Sequence, residues 1–113
     1  MKMASNLIHY EEYQKDDLFI WSIIGSLDMT TAQEAEDKGK IIVENNDKVV
    51  LDMSRMEYIS SAGLRVLLIL SQEAEDNDKE FILCGASGDV KEVLEDSGMD
   101  VLLNIVESLE EVE

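Results

Sequence analysis

Ser60 and Ser61 stand side by side in the stretch Tyr58-Ile59-Ser60-Ser61-Ala62-Gly63-Leu64. Adjacent hydroxyls can do three things: cap a helix, accept a phosphoryl group, or act as a nucleophile. The flanking residues choose among these. Upstream, the short apolar run Val49-Val50-Leu51 ends in Asp52; downstream comes the block Val66-Leu67-Leu68-Ile69-Leu70. The first run is β-branched and short, as a buried strand is, and the second reads as a helix. The serines therefore fall where a helix begins, and a side-chain oxygen there satisfies free backbone N–H groups. A hydroxyl at that end of the helix dipole occupies a place that stabilises a phosphate.

The nucleophile reading is weaker. A strand–serine–helix turn in hydrolases carries the pattern G-x-S-x-G, and Ile59 occupies the first glycine position relative to Ser61. The one histidine, His9, lies in the first predicted strand and reads as a packing or solvent-facing residue. Gly85-Ala86-Ser87-Gly88 lacks the lysine and spacing of a Walker loop, so it reads as a turn and cap. No Cys/His group has zinc spacing. Asp76-Asn77-Asp78 lacks the glycine and distal glutamate of a calcium loop. The expectation is a protein without catalytic residues, cofactor or metal.

The elements that hold the serines follow from periodicity. Leu7 to Tyr13 reads as a first strand, Asp16-Asp17 as a tight turn, and Leu18 to Ile24 as a second, central strand. The short link makes these an antiparallel hairpin. Gly25 to Met29 reads as a loop, and Thr30 with Gln33 as a capping box for a first helix with Ala35, Gly39, Ile42 and Val43 inward. Gly39 in mid-helix costs about 1 kcal/mol against alanine, which points to a close approach. A strand over Lys48 to Met53 precedes the loop Ser54 to Ser60. A helix follows from about Ser61 to Asp76, then a strand over Lys79 to Gly85. Ser87 caps a third helix, Asp89 to Ser97, with Val90, Val93 and Leu94 inward and Gly98 as its stop. Val101 to Val106 reads as a last short strand, and Ser108 with Glu111 as the cap of a terminal helix.

Alternating strands and helices after a hairpin imply right-handed crossovers and an α/β layered, mostly parallel sheet. The expectation is about five strands and about four helices. In such folds the working loops gather at the carboxyl ends of strands. The loop of Ser26 to Met29 and the loop of Ser54 to Ser60 therefore flank Ser61. The expected partner-contact surface is Ser26, Asp28, Met29, Met56, Ser60, Ser61, Ala62, Gly63 and Leu64. Met29 and Met56 are included because flexible thioethers suit adaptable contacts. The helix after Ser61 carries more apolar surface than one buried face needs. Two readings stay open: burial between neighbours, or a partly exposed docking face.

Composition bounds the rest. A chain of 113 residues, 45% of them hydrophobic, is one domain with a real core. Met1-Lys2-Met3-Ala4-Ser5 is not followed by the apolar region of a signal peptide. The longest apolar block is far short of the roughly 20 residues that span a bilayer. Cys84, the one cysteine, cannot form an internal disulfide and reads as core. The expected compartment is the cytoplasm. A formal charge of −17 argues against nucleic acid and anionic membranes. It favours solubility or a partner with a basic face.

Asp52-Met53-Ser54 followed by Ile59-Ser60-Ser61-Ala62-Gly63-Leu64 resembles the signature of the STAS domains, and specifically of the bacterial anti-sigma factor antagonists. Gly25-Ser26-Leu27-Asp28 is similar to the family's Gly-Glu-Leu-Asp, and the order of elements fits along nearly the whole chain. The resemblance places Ser61 on the family's phosphorylated serine. Ser60 stands where the family usually has aspartate and is the second candidate acceptor. The resemblance implies a regulatory protein, not an enzyme. Its unphosphorylated form would bind an anti-sigma factor that is itself a serine kinase, freeing the sigma factor. Phosphorylation of Ser61 would end the binding and a serine phosphatase would restore it. The same domain type also resembles accessory subunits that clamp the ATPase of lipid-transport ABC complexes, where the serine would be structural.

Overall fold

The computed structural model describes residues 8–112. Two strands open the chain, β1 (Ile8–Lys15) and β2 (Leu18–Leu27), paired antiparallel from Ile8–Gly25 to Lys15–Leu18. Leu7, the expected start of β1, lies outside the described residues. The turn is Asp16-Asp17, and Asp16 adopts a left-handed φ of 55°, which an aspartate tolerates. Then come α1 (Ala32–Asn45), β3 (Lys48–Asp52), β4 (Met56–Ile59), α2 (Ser61–Asp76) and β5 (Glu80–Cys84). The chain ends with α3 (Gly88–Asp96), α4 (Met99–Leu102), β6 (Ile105–Val106) and a 3-10 turn at Leu109–Glu111.

The sheet runs β1-β2-β3-β5-β6, parallel apart from the hairpin, and β4 pairs with β2 beyond the end of β3. Alternation along β2 divides the core. Trp21, Ile23 and Leu27 join Ala35, Val43, Leu67, Leu70, Val90 and Leu94 of α1, α2 and α3 in one large cluster. Ile20 faces the other way, with Val50, Ile82 and Cys84, and Leu109 and Val112 of the C-terminal segment cover them. Burial pushes the Cys84 thiol up to about 11, helped by the nearby Asp52 and Glu110 charges.

Gly39 is where α1 comes closest to its neighbours. A methyl group there would sit 2.5 Å from Leu70 Cδ1 and 3.0 Å from the Trp21 ring. The close approach expected of this glycine is therefore made to the sheet and to α2 together. Trp21 is fully buried and stacks on Tyr10 with ring centroids 6.1 Å apart.

Several local expectations are corrected. The stretch before Ser60 is not all loop: Met56–Ile59 forms the sixth strand, and it lengthens β2 to Leu27 by giving Gly25, Ser26 and Leu27 a partner. The Thr30–Gln33 capping box does not form. Thr30 donates to Asp28 and the Gln33 amide donates to Asp37, while α1 begins after Thr31. Val101 and Leu102 belong to α4, and the last strand keeps only two residues. The terminal helix is a single 3-10 turn without a capping bond from Ser108.

No basic side chain stands in the last turn of α1, yet its carbonyls are not bare. Lys79, just before β5, donates to the carbonyls of Val43 at 3.1 Å and Glu44 at 2.5 Å. A cation at that end also opposes the negative pole of the helix. Lys79→Met keeps the aliphatic stem and removes the charge. It lowers stability by about 1 kcal/mol, read as a shifted midpoint in urea unfolding.

Candidate functional site

The upper edge of the sheet is built around one carbonyl. Leu27, the last residue of β2, accepts a hydrogen bond from the backbone N–H of Ser60 at 3.0 Å. Gly63, three residues on, lies against the same oxygen. A methyl group at Gly63 would sit 2.6 Å from it and 2.7 Å from Ile59 Cγ1. Only a residue without a side chain lets the first turn of α2 settle this close.

Ser60 is the N-cap of α2, extended at φ −102° and ψ 179°, and its Oγ accepts from the Gly63 N–H at 3.4 Å. Its carbonyl accepts the first intrahelical bond, from Leu64, at 2.9 Å. Ser60 is half-buried and its hydroxyl is engaged. Ser61 opens the helix and is exposed. The first turn of α2 contains no acidic side chain, whereas α1 has Glu34 and α3 has Asp89 there. The positive pole of α2 is thus not offset by its own side chains.

The loop from β2 to α1 stands beside it and is locked internally. Asp28 Oδ1 accepts from the Thr30 N–H at 2.9 Å and the Thr30 hydroxyl at 2.7 Å. The buried Thr31 hydroxyl accepts from the Asp28 N–H at 2.9 Å and donates to the Ser26 carbonyl at 3.0 Å. The Thr30 hydroxyl and N–H, with a smaller part from Thr31, hold the Asp28 carboxyl below the usual aspartate range. At the tip, Met29 is 81% exposed. Ser26 is half-buried, in register with Tyr58 of β4.

The expected contact surface divides. Ser61 and Met29 are exposed, and Ser26, Asp28, Ser60 and Ala62 are partly so. Met56, Gly63 and Leu64 are not available. Met56 is 6% and Leu64 7% exposed, both packed in the main core, and Gly63 is pressed on Leu27. Met56 packs inward ahead of the register shift in the β2–β4 pairing, Gly63 lies across α2 from Ser61, and Leu64, one turn on from Ser61, is buried in the main core. Tyr58, 50% exposed and paired with Ser26, was not expected. Its only signal was composition, an aromatic beside a β-branched residue. The apolar excess of α2 is absorbed by burial: Leu64, Val66, Leu67, Leu70 and Ala74 are buried and Leu68 packs on the core.

Gly85 takes a φ of 80° and lies against Ser54, and Gly88 takes 55°. His9 is exposed on β1. Among the described residues there is no group of three or more potential metal ligands, and no helix is long and apolar enough to cross a membrane.

A mixed sheet led by an antiparallel hairpin, with a serine pair opening the helix after its inserted strand, defines a small α/β domain. The STAS domain family model matches residues 9–112, and the chain belongs to that family. It is 33% identical over 96 residues to BtrV of Bordetella bronchiseptica, provisionally named an anti-sigma factor antagonist, covering 84% of this chain and 83% of that one. The fold matches an anti-sigma factor antagonist from Mycobacterium paratuberculosis with a TM-score of 0.82 at 21% identity, over 91% of this chain and 88% of the other. It also matches the anti-sigma factor antagonist SpoIIAA of Bacillus. The TM-score is 0.74 for its unphosphorylated form (18% identity, 91% and 90% covered) and 0.68 for its phosphorylated form (17%, 91% and 94%).

Two outcomes test this geometry. Gly63→Ala forces a methyl group into a backbone oxygen, and destabilises the protein by about 1–3 kcal/mol in urea unfolding. Asp28 gives a pH test. Its folded-state pKa is depressed, so its contribution is complete above the unfolded aspartate value and is lost as pH falls through the folded one. Asp28→Asn keeps an acceptor oxygen and does not titrate. The urea midpoint of the native protein therefore falls more steeply below about pH 4 than that of Asp28→Asn.

Proposed function

We propose that this protein is a cytoplasmic anti-sigma factor antagonist that binds in its unphosphorylated form and is switched off by phosphorylation of Ser61. The partner is an anti-sigma factor with serine-kinase activity, and binding frees its sigma factor. The single observation that carries the reading is the pairing of an engaged Ser60 with an exposed Ser61 at the start of α2. Ser60 supplies the cap that the helix needs. Ser61 is left as an open hydroxyl at the positive pole. The names of the relatives support this reading over the transporter-accessory one.

The chemistry is a phosphoryl transfer. Ser61 Oγ attacks the γ-phosphorus of ATP, the new O–P bond forms, the bond to the ADP oxygen breaks, and the hydroxyl proton leaves to a base of the kinase. The product carries about −1.5 to −2 more charge. The α2 dipole accommodates it within this protein. A docked partner would have to bury a hydrated dianion. A hundredfold loss of affinity needs only about 2.7 kcal/mol, within what an unpaired buried charge costs. Met29 and Tyr58 supply exposed apolar surface on the adjoining loop and strand. The charge of −17 suits a partner with a basic face and a salt-sensitive encounter. A serine phosphatase returns the protein to its binding form.

Incubation with the cognate kinase and ATP, followed by mass spectrometry, places the phosphate on Ser61. Modification at neither serine rejects the switch. In binding assays Ser61→Ala retains affinity for the anti-sigma factor, and Ser61→Asp weakens it at least tenfold, which is about 1.4 kcal/mol. Equal affinity in the two variants counts against the mechanism.

A further inference from the structure

The chain has two arginines, Arg55 and Arg65, among 26 acidic residues. Arg55 is committed, with its guanidinium 2.6 Å from Glu11. Lys40 pairs with Glu36, Lys48 with Glu80, Lys79 with the end of α1, and Lys38 lies over the Tyr10 ring. Arg65 is exposed on α2 and, like Lys15 and Lys91, forms no ion pair among the described residues. Its own helix provides no acid in reach: the positions three and four away are Ala62, Ser61, Leu68 and Ile69.

Its position gives it a use. Arg65 follows Ser61 by four residues in an unbroken helix. Residues so spaced are neighbours on one face, with Cβ atoms about 5–6 Å apart. Long helical side chains lean toward the N-terminus, which directs Arg65 back over the turn that holds Ser61. A guanidinium is also the side chain whose planar fork matches a phosphate.

We propose that Arg65 is the intrachain counter-ion of phosphorylated Ser61, folding back one helical turn to clasp the phosphate. This rests on the reading of Ser61 as the acceptor. In the unphosphorylated protein Arg65 pairs with no carboxylate among the described residues and is part of the surface beside Ser61. In the phosphorylated protein it is withdrawn onto the phosphate. One modification thus adds a dianion to the docking face and removes a cation from it.

The test uses the full chain with phosphoserine incorporated at position 61 during translation, so that it needs no kinase. Titration by phosphorus NMR reads the second ionisation of the phosphate. The clasp lowers that pKa in the native sequence by about 0.2–0.4 pH units relative to Arg65→Gln, the scale of a helical ion pair. Arg65→Lys recovers part of the shift, and 1 M salt shrinks it. The helix dipole acts equally in all three proteins and cancels. Equal pKa values in the native sequence and Arg65→Gln overturn the clasp, whatever a kinase does to Ser61. Absence of phosphate from Ser61 after kinase treatment instead sinks the switch, and leaves the titration unchanged.

Discussion

The contact of α2 with the Leu27 carbonyl governs the functional end of this domain. The oxygen takes the Ser60 N–H, and the bare Cα of Gly63 lets the helix turn close over it. That anchoring sets the rotation of α2 about its axis. With successive residues turned by roughly 100°, a helix that presses Gly63 onto Leu27 carries Ser61, about 160° round the axis, outward. The same strand end carries the loop that holds Asp28 and Met29. Leu27 therefore ties the start of α2 and the adjoining loop to one rigid point.

Electrostatics at this end are arranged asymmetrically. The β2–α1 loop satisfies itself: Asp28 serves Thr30, and Thr31 closes onto Ser26. Its carboxylate is engaged within the loop and leaves the capping of α2 to Ser60. The first turn of α2 has a neutral cap and no acid, so a phosphate would meet dipoles and no competing carboxylate on its own helix. Serine in place of the aspartate usual at position 60 extends that neutrality.

Much of this was legible locally. The hairpin around Asp16-Asp17 and the inner face of α1 at Ala35, Gly39, Ile42 and Val43 follow from spacing, and the structure has them. The span Ser61–Asp76 of α2 agrees with its hydrophobic period and its cap. Failures cluster where the deciding partner is distant in sequence. β4 has four residues with only its ends buried, which is not a strand pattern in isolation. It is a strand because β2 runs past β3 and offers it unpaired backbone. The Thr30–Gln33 box lost to Asp28, an acceptor already held beside Thr30 by the turn. Lys79 capping α1 from 35 residues away had no local signal.

Sequence alone determined the layered α/β order, the charge and the helix start at the serine pair. Those depend on period, composition and near neighbours along the chain. Tertiary structure decided which side of that start faces outward. Met56, Gly63 and Leu64 look as available as Ser61 in a linear reading, and the fold buries all three. The reason is steric and long-range: one glycine must meet one carbonyl from a strand that ended more than thirty residues earlier, and no local preference encodes which oxygen that is.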